Sequence, residues 1–185
     1  MRKLYRECAE GMHERFWHQQ AGAMEYGYCV GQYSGSLRRA LLLWKHRGAA
    51  GMTAHFAELT AAALPIRLYG IPITYIPCHP RSRKKRGWDP VQQLSTQLAA
   101  VTGSSCMSVF RRSGWSSVQK KLDKQKRRQN AAHMLSCRLF TVPAEIVVID
   151  DVRTTGASLD AARGLLHEAG CSKVHCIAIA QDPLT

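Results

Sequence analysis

Residues 147–158 read VVIDDVRTTGAS, and the fold turns on how that stretch is read. Val147, Val148 and Ile149 form a run too short and too β-branched for a helix, which predicts the end of a buried strand. Asp150 and Asp151 then fall at the carboxyl end of that strand, where open α/β sheets bind ligands. Beyond Gly156 the apolar period changes. Leu159, Ala162, Leu165, Leu166 and Ala169 share one helical face, and Gly170 supplies a stop. The predicted order is strand, polar loop, helix. Thr154, Thr155, Gly156, Ala157 and Ser158 lie where the loop becomes a helix N-terminus. Unpaired N–H groups, the helix dipole and three hydroxyls there make a phosphate cradle. Gly156 brings no Cβ between backbone and anion. Two carboxylates beside such a cradle conflict with a plain anion but suit a sugar phosphate. Asp150 and Asp151 accept from vicinal hydroxyls while the loop amides hold the phosphate.

The rest of the chain is consistent with one α/β domain. Its 185 residues are enough for a sizeable core, and 45% of them are apolar. No apolar run approaches the roughly 18–20 residues of a membrane span, and the opening MRKLYRECAEGMHERF has no secretory apolar region. Membrane insertion is therefore not expected. The seven cysteines are odd in number and scattered, with none in a C-x-x-C pair, so reduced thiols and a cytoplasmic location are expected. The charge is +13, with 26 basic against 13 acidic residues, which favours phosphate-bearing partners. It is clustered: RSRKKR (81–86) has five basic residues in six, and 111–130 carries eight against the single acid Asp123.

Helices are predicted over 35–48, with Leu37, Ala40, Leu41 and Trp44 as the apolar face, and over 52–64. A third spans 89–103, with Asp89 as cap and Pro90 at the first position. Strands are predicted at 72–77, 107–112 and 174–180, with apolar segments near 134–140 and a loop at 78–87. Helices interleave with short strands, so the expected architecture is a parallel-centred sheet flanked by helices. Residues 1–34 form a separate N-terminal segment without a clear pattern, and 35–185 form the domain.

The whole run from Val147 to Ser158 resembles the phosphoribosyl-pyrophosphate (PRPP) motif of type I phosphoribosyltransferases. Three further segments resemble the ComF family of that fold. IPCHPRSRKKRGWDPVQQLSTQLA (76–99) is similar to its P-x-H-P-R…R-G-F-N-Q segment. Gln119, Leu122, Arg127 and Asn130 meet its Q-x-x-L-x-x-x-x-R-x-x-N pattern, and YSGSLRRALLLWKHRG (33–48) its Y-x-G-x-L-R…K-x-x-G helix, with Lys45 at the lysine position. The resemblance runs from about Tyr33 to the end. It implies a type I phosphoribosyltransferase fold in which Asp150, Asp151 and 154–158 bind PRPP, and Cys78, His79, Pro80 and Arg81 form the pyrophosphate loop. It also implies a mobile 113–130 segment that closes over the ligand. Arg127 is its leading catalytic candidate, with Lys124, Lys126 and Arg128 as alternatives. Mg2+ is expected to be held by substrate oxygens and waters, without a dedicated protein cage.

Departures from the family are specific. LYREC (4–8) has Tyr5 where a zinc ribbon would carry a cysteine, and Cys8 alone cannot make a tetrahedral site, so no zinc is expected. Trp88, Asp89 and Pro90 replace Phe, Asn and Gln. His79 reads equally as a pyrophosphate contact or a turn residue, Lys45 as the family's lysine or, slightly ahead, the solvated end of a helix, and Trp88 and Trp115 as packing residues ahead of nucleobase stacking. Three functions follow: a Mg2+-dependent phosphoribosyltransferase with its acceptor unassigned, a single-stranded DNA handling protein of the natural-competence type, or a PRPP-sensing regulator without turnover. The oligomeric state is left open.

Overall fold

The computed structural model describes residues 27–47, 51–113, 134–139 and 141–182. In chain order the elements are β1 (Gly27–Gln32), α1 (Gly35–Arg47), α2 (Gly51–Ala63), a 3-10 turn (Ile66–Leu68), β2 (Ile73–Tyr75), α3 (Pro80–Arg86) and α4 (Pro90–Thr102). They continue with β3 (Cys106–Met107), β4 (Phe110–Arg112), β5 (Leu135–Cys137), β6 (Glu145–Arg153), α5 (Ala157–Glu168) and β7 (Lys173–Gln181). Five strands form one sheet in the order β1-β7-β6-β2-β3, with every neighbouring pair parallel.

The two faces of β6 explain its apolar run. Val147 and Ile149 enter one core with Leu41 and Trp44 of α1, Phe56 and Leu59 of α2, and Leu94 and Leu98 of α4. Ile146 and Val148 enter a second core with Phe110 of β4, Leu135 of β5, and Leu159, Ala162 and Leu166 of α5. A strand covered on both faces carries no polar alternation. Trp44 anchors the first core: it is fully buried, its ring lies 5.0 Å from Phe56, and its indole N–H donates to Thr53 Oγ1 at 2.9 Å.

The predicted helices 35–48, 52–64 and 89–103 appear as α1, α2 and α4, and strands 72–77 and 174–180 as β2 and β7. Three readings change. The basic run expected as loop 78–87 contains a short helix, α3, with Pro80 at its first position, His79 as cap and Gly87 in the left-handed conformation at its end (φ 80°). The expected strand 107–112 is two strands. β3 stays in the main sheet, while β4 leaves it to pair antiparallel with β5, with Val109 buried between them. β6 runs past the acid pair to Arg153, where it is paired with β7 alone. β1, from the unassigned 1–34 segment, is an edge strand of the central sheet. The LYREC segment lies outside the described residues.

Connections decide where the sheet opens. β2 leads through α3 and α4 to β3 on one side, and β6 leads through α5 to β7 on the other. Their carboxyl ends therefore diverge, and the crevice between them is the switch point at which such sheets take ligands.

Asp89 joins the crevice to the scaffold. Its Oδ1 accepts from the backbone N–H groups of Val91 (3.1 Å) and Gln92 (3.4 Å), capping α4, and its Oδ2 accepts from Cys78 N–H at 2.8 Å. It is 4% exposed. Asp89→Ala is expected to lower stability by about 1–2 kcal/mol through the lost cap, read from urea denaturation midpoints. It is also expected to raise amide exchange at Cys78, whose half-buried N–H loses its acceptor.

Candidate functional site

The crevice is built from the last rung between β2 and β6. Tyr75 pairs with Ile149, Ile76 N–H donates to the Ile149 carbonyl at 2.8 Å, and the strands then separate. Asp150 and Asp151 are the next two residues. Because β6 stays extended beside β7, the two side chains alternate across the sheet. Asp151 shares the face of Val147 and Ile149, beneath α1, and its Oδ2 meets Lys45 Nζ at 2.8 Å. Asp150 shares the face of Ile146 and Val148, toward β4. Lys45 is thus ion-paired at the acid pair, where the sequence reading had it as the solvated end of a helix.

Asp150 accepts from the Asp151 N–H at 2.8 Å through Oδ1. Its backbone keeps some surface, but its carboxyl is enclosed. Burial, and then the neighbouring Asp151 charge, push that carboxyl up to about 7, against the opposing pull of the Asp151 N–H, Lys45 and Arg112. Near neutrality it exchanges a proton.

Beyond the acids the chain bends through Thr154 and Thr155, both exposed, to Gly156, which precedes α5. Gly156 has φ 80°, and a Cβ there would lie 3.2 Å from Arg153 Nε and 3.5 Å from Asp160 Oδ2. Thr155 Oγ1 stands 3.5 Å from the Ala157 N–H, and Ser158 is half-buried in the first turn. The turn and helix N-terminus expected from the sequence are therefore in place.

Across the crevice, Cys78 and His79 leave β2 and enter α3. Burial, and then Asp89, push the Cys78 thiol up to about 12, so it stays protonated and is a poor nucleophile. His79 Nδ1 accepts from Arg81 N–H at 3.2 Å, which puts the proton of the neutral ring on Nε2. Desolvation, then Arg112 and Arg81, lower its pKa. Pro80 and Arg81 are exposed at the start of α3.

Arg112, which the sequence reading did not single out, stands between the two loops. Its Nη1 donates to the Pro77 carbonyl at 3.4 Å, its Nε is buried without a partner among the described residues, and its charge reaches both His79 and Asp150. It lay inside a strand pattern and a basic run, so only its place on β4 reveals it. Arg127 and its basic neighbours Lys124, Lys126 and Arg128, together with Trp115, lie outside the described residues. Trp88 packs edge-on to Trp44 at 6.1 Å, the packing role expected of it. Among the described residues no group of three or more His, Cys, Asp or Glu side chains could hold a metal ion, and no helix is long and apolar enough to cross a membrane.

No family model and no curated protein matches the sequence. Solved structures do match. One is the allosteric regulatory enzyme of purine biosynthesis, at 17% identity and a TM-score of 0.50, covering 70% of this chain. Others are a glutamine PRPP amidotransferase from B. subtilis (16% identity, TM-score 0.47, 70% of this chain and 26% of that one) and a purine phosphoribosyltransferase from Pyrococcus horikoshii (13%, 0.36, 84% and 80%). The chain spans 25% of the length of the first. The likeness is one of fold. With the five-stranded parallel sheet and its flanking helices, it bears out the α/β phosphoribosyltransferase fold expected from the sequence.

Two predictions follow from the site's strain. Asp150 has its folded pKa raised, so the stability it contributes is full in acid and is lost as pH rises through about 7. Asp150→Asn is therefore expected to melt about 2–4 °C higher than wild type on the alkaline side, the shift that roughly 1 kcal/mol gives a chain of this size. That advantage should vanish below the ordinary carboxylate range, which a pH series of calorimetric melts checks. Gly156→Ala is expected to cost about 1–2 kcal/mol for its left-handed backbone, read from denaturant midpoints.

Proposed function

We propose that the chain binds PRPP in this crevice and is a phosphoribosyltransferase of the ComF type. Asp150 and Asp151 accept hydrogen bonds from the ribose hydroxyls, and Thr154–Ser158 hold the 5′-phosphate. Cys78, His79, Pro80 and Arg81, with Arg112 behind them, face the pyrophosphate. One observation carries this reading: the acid pair begins where β2 and β6 separate, with an amide-rich helix N-terminus on one side and the cationic α3 segment on the other. The fold shared with an enzyme of purine biosynthesis supports it at a coarser level.

Transfer of a phosphoribosyl group passes through an oxocarbenium-like state, so the protein's work is to orient the sugar, neutralise the departing pyrophosphate and exclude water. The Arg112 guanidinium is held by Pro77 at the edge of the site and keeps an N–H to offer. The 113–130 segment, with Arg127 foremost, supplies the closing charge. Mg2+ would be carried mainly by substrate oxygens and waters, and that ion would neutralise pyrophosphate charge when bound. The reading places the protein in the cytoplasm, without zinc.

A second reading has its own observation. α3 buries none of its residues, and Arg81, Arg83, Lys84 and Lys85 are exposed along it, a surface that suits single-stranded DNA as in natural competence. In that reading the crevice senses PRPP without turnover or stands idle.

Calorimetric titration of PRPP with Mg2+ into wild type and the Asp150→Asn/Asp151→Asn variant tests the first reading. Micromolar binding lost in the variant is the expected result. A folded wild type that shows no heat of binding sinks it. DNA affinity that falls steeply with salt, survives that double substitution and disappears on neutralising 81–86 would favour the second.

A further inference from the structure

The acid pair is built asymmetrically. Lys45 Nζ sits 2.8 Å from Asp151 Oδ2, with the two side chains only 22% and 20% exposed. Asp150, one residue earlier, has no cation at ion-pair distance among the described residues and accepts from the Asp151 N–H. The charged groups around the pair come from every side. Lys45 projects from α1, Arg112 from β4, and His79 from the loop after β2, while Arg153 lies along the turn beside Gly156 with Asp160 of α5. Of these, Lys45 is the one in direct contact with a carboxylate of the pair.

Its place is fixed from below. Trp44, the preceding residue, is fully buried and wedged between Phe56 and Trp88, so α1 cannot rotate to return Lys45 to solvent. Exposed ion pairs are worth little because solvent screens them and side-chain entropy opposes them. This one is largely covered and starts from a rigid helix. Its ammonium occupies one oxygen of Asp151 and leaves the other to accept.

We propose that Lys45 is a positioning residue of the crevice. It holds the Asp151 carboxylate in the orientation that presents its second oxygen to a ribose hydroxyl, and its charge allows two carboxylates to stand on consecutive residues there. This rests on the PRPP reading for its ligand, but the charge-balancing half does not. Lys45 is among the influences that pull the Asp150 carboxyl downward, so removing it raises the pH at which Asp150 ionises.

The test uses Lys45→Met, which keeps an unbranched chain of similar length and loses the charge, and Lys45→Arg, which keeps the charge. Carbon-13 NMR of the Asp150 carboxyl gives its titration midpoint without ligand, and calorimetry gives the affinity for PRPP with Mg2+ across the same pH range. Lys45→Met is expected to move the Asp150 midpoint upward and to weaken binding at neutral pH by about tenfold, the equivalent of one pH unit. The binding profile should move by the same amount, and Lys45→Arg should restore both. In an Asp151→Asn background the Lys45→Met substitution should shift the midpoint by a different amount, the mark of coupled neighbours. A folded Lys45→Met with wild-type midpoint and affinity overturns the proposal. If wild type itself does not bind PRPP, the ribose half falls with the functional reading, and the midpoint shift decides the other half alone.

Discussion

The separation of β2 from β6 after the Tyr75–Ile149 rung is the constraint on which the site depends. From Val147 to that rung β6 is paired on both edges and packed on both faces, and its residues are apolar. Past it, one edge is open while β7 still holds the other as far as Arg153. The strand therefore stays extended and paired with β7 at the point where its other neighbour leaves. Consecutive side chains must then point to opposite faces. That alternation sends Asp151 to α1 and Lys45, and Asp150 toward β4 and Arg112.

Holding two carboxylates there is costly, and the surrounding structure offsets the cost in separate ways. Lys45 neutralises one, the Asp151 N–H solvates the other, and Asp150 still titrates near neutrality instead of in the ordinary carboxylate range. On the far side of the crevice Asp89 performs the reverse task. A single buried carboxylate satisfies two N–H groups of α4 and one of the loop, so a cationic segment is tied down by an anion hidden beneath it.

Where sequence and structure differ, composition had overruled local signals. The 80–86 run carries a proline at its start and a glycine just past its end, the marks of a helix, but its charge read as loop. A helix that buries nothing has no apolar stripe to announce it. The 107–112 run read as one strand because nothing local marks the break at Ser108 and Val109. The break exists because β4 has a partner, β5, more than twenty residues later in the chain. Lys45 read as solvated because a lysine at a helix end usually is, and only the carboxylate brought against it from residue 151 makes it otherwise.

By itself the sequence determined the strand, polar turn and helix of 147–168, the Asp89 cap, the apolar face of α1, and hence the parallel α/β fold. These are local properties: residue period, capping groups and β-branching act over a few neighbours. Tertiary structure alone decided which strands lie beside β6, where the sheet opens, and which cations reach the acid pair. Lys45 and Arg112 come from 106 and 38 residues upstream of the carboxylates they serve, Asp151 and Asp150. Charge interactions across that separation exist only once the core has set the elements side by side.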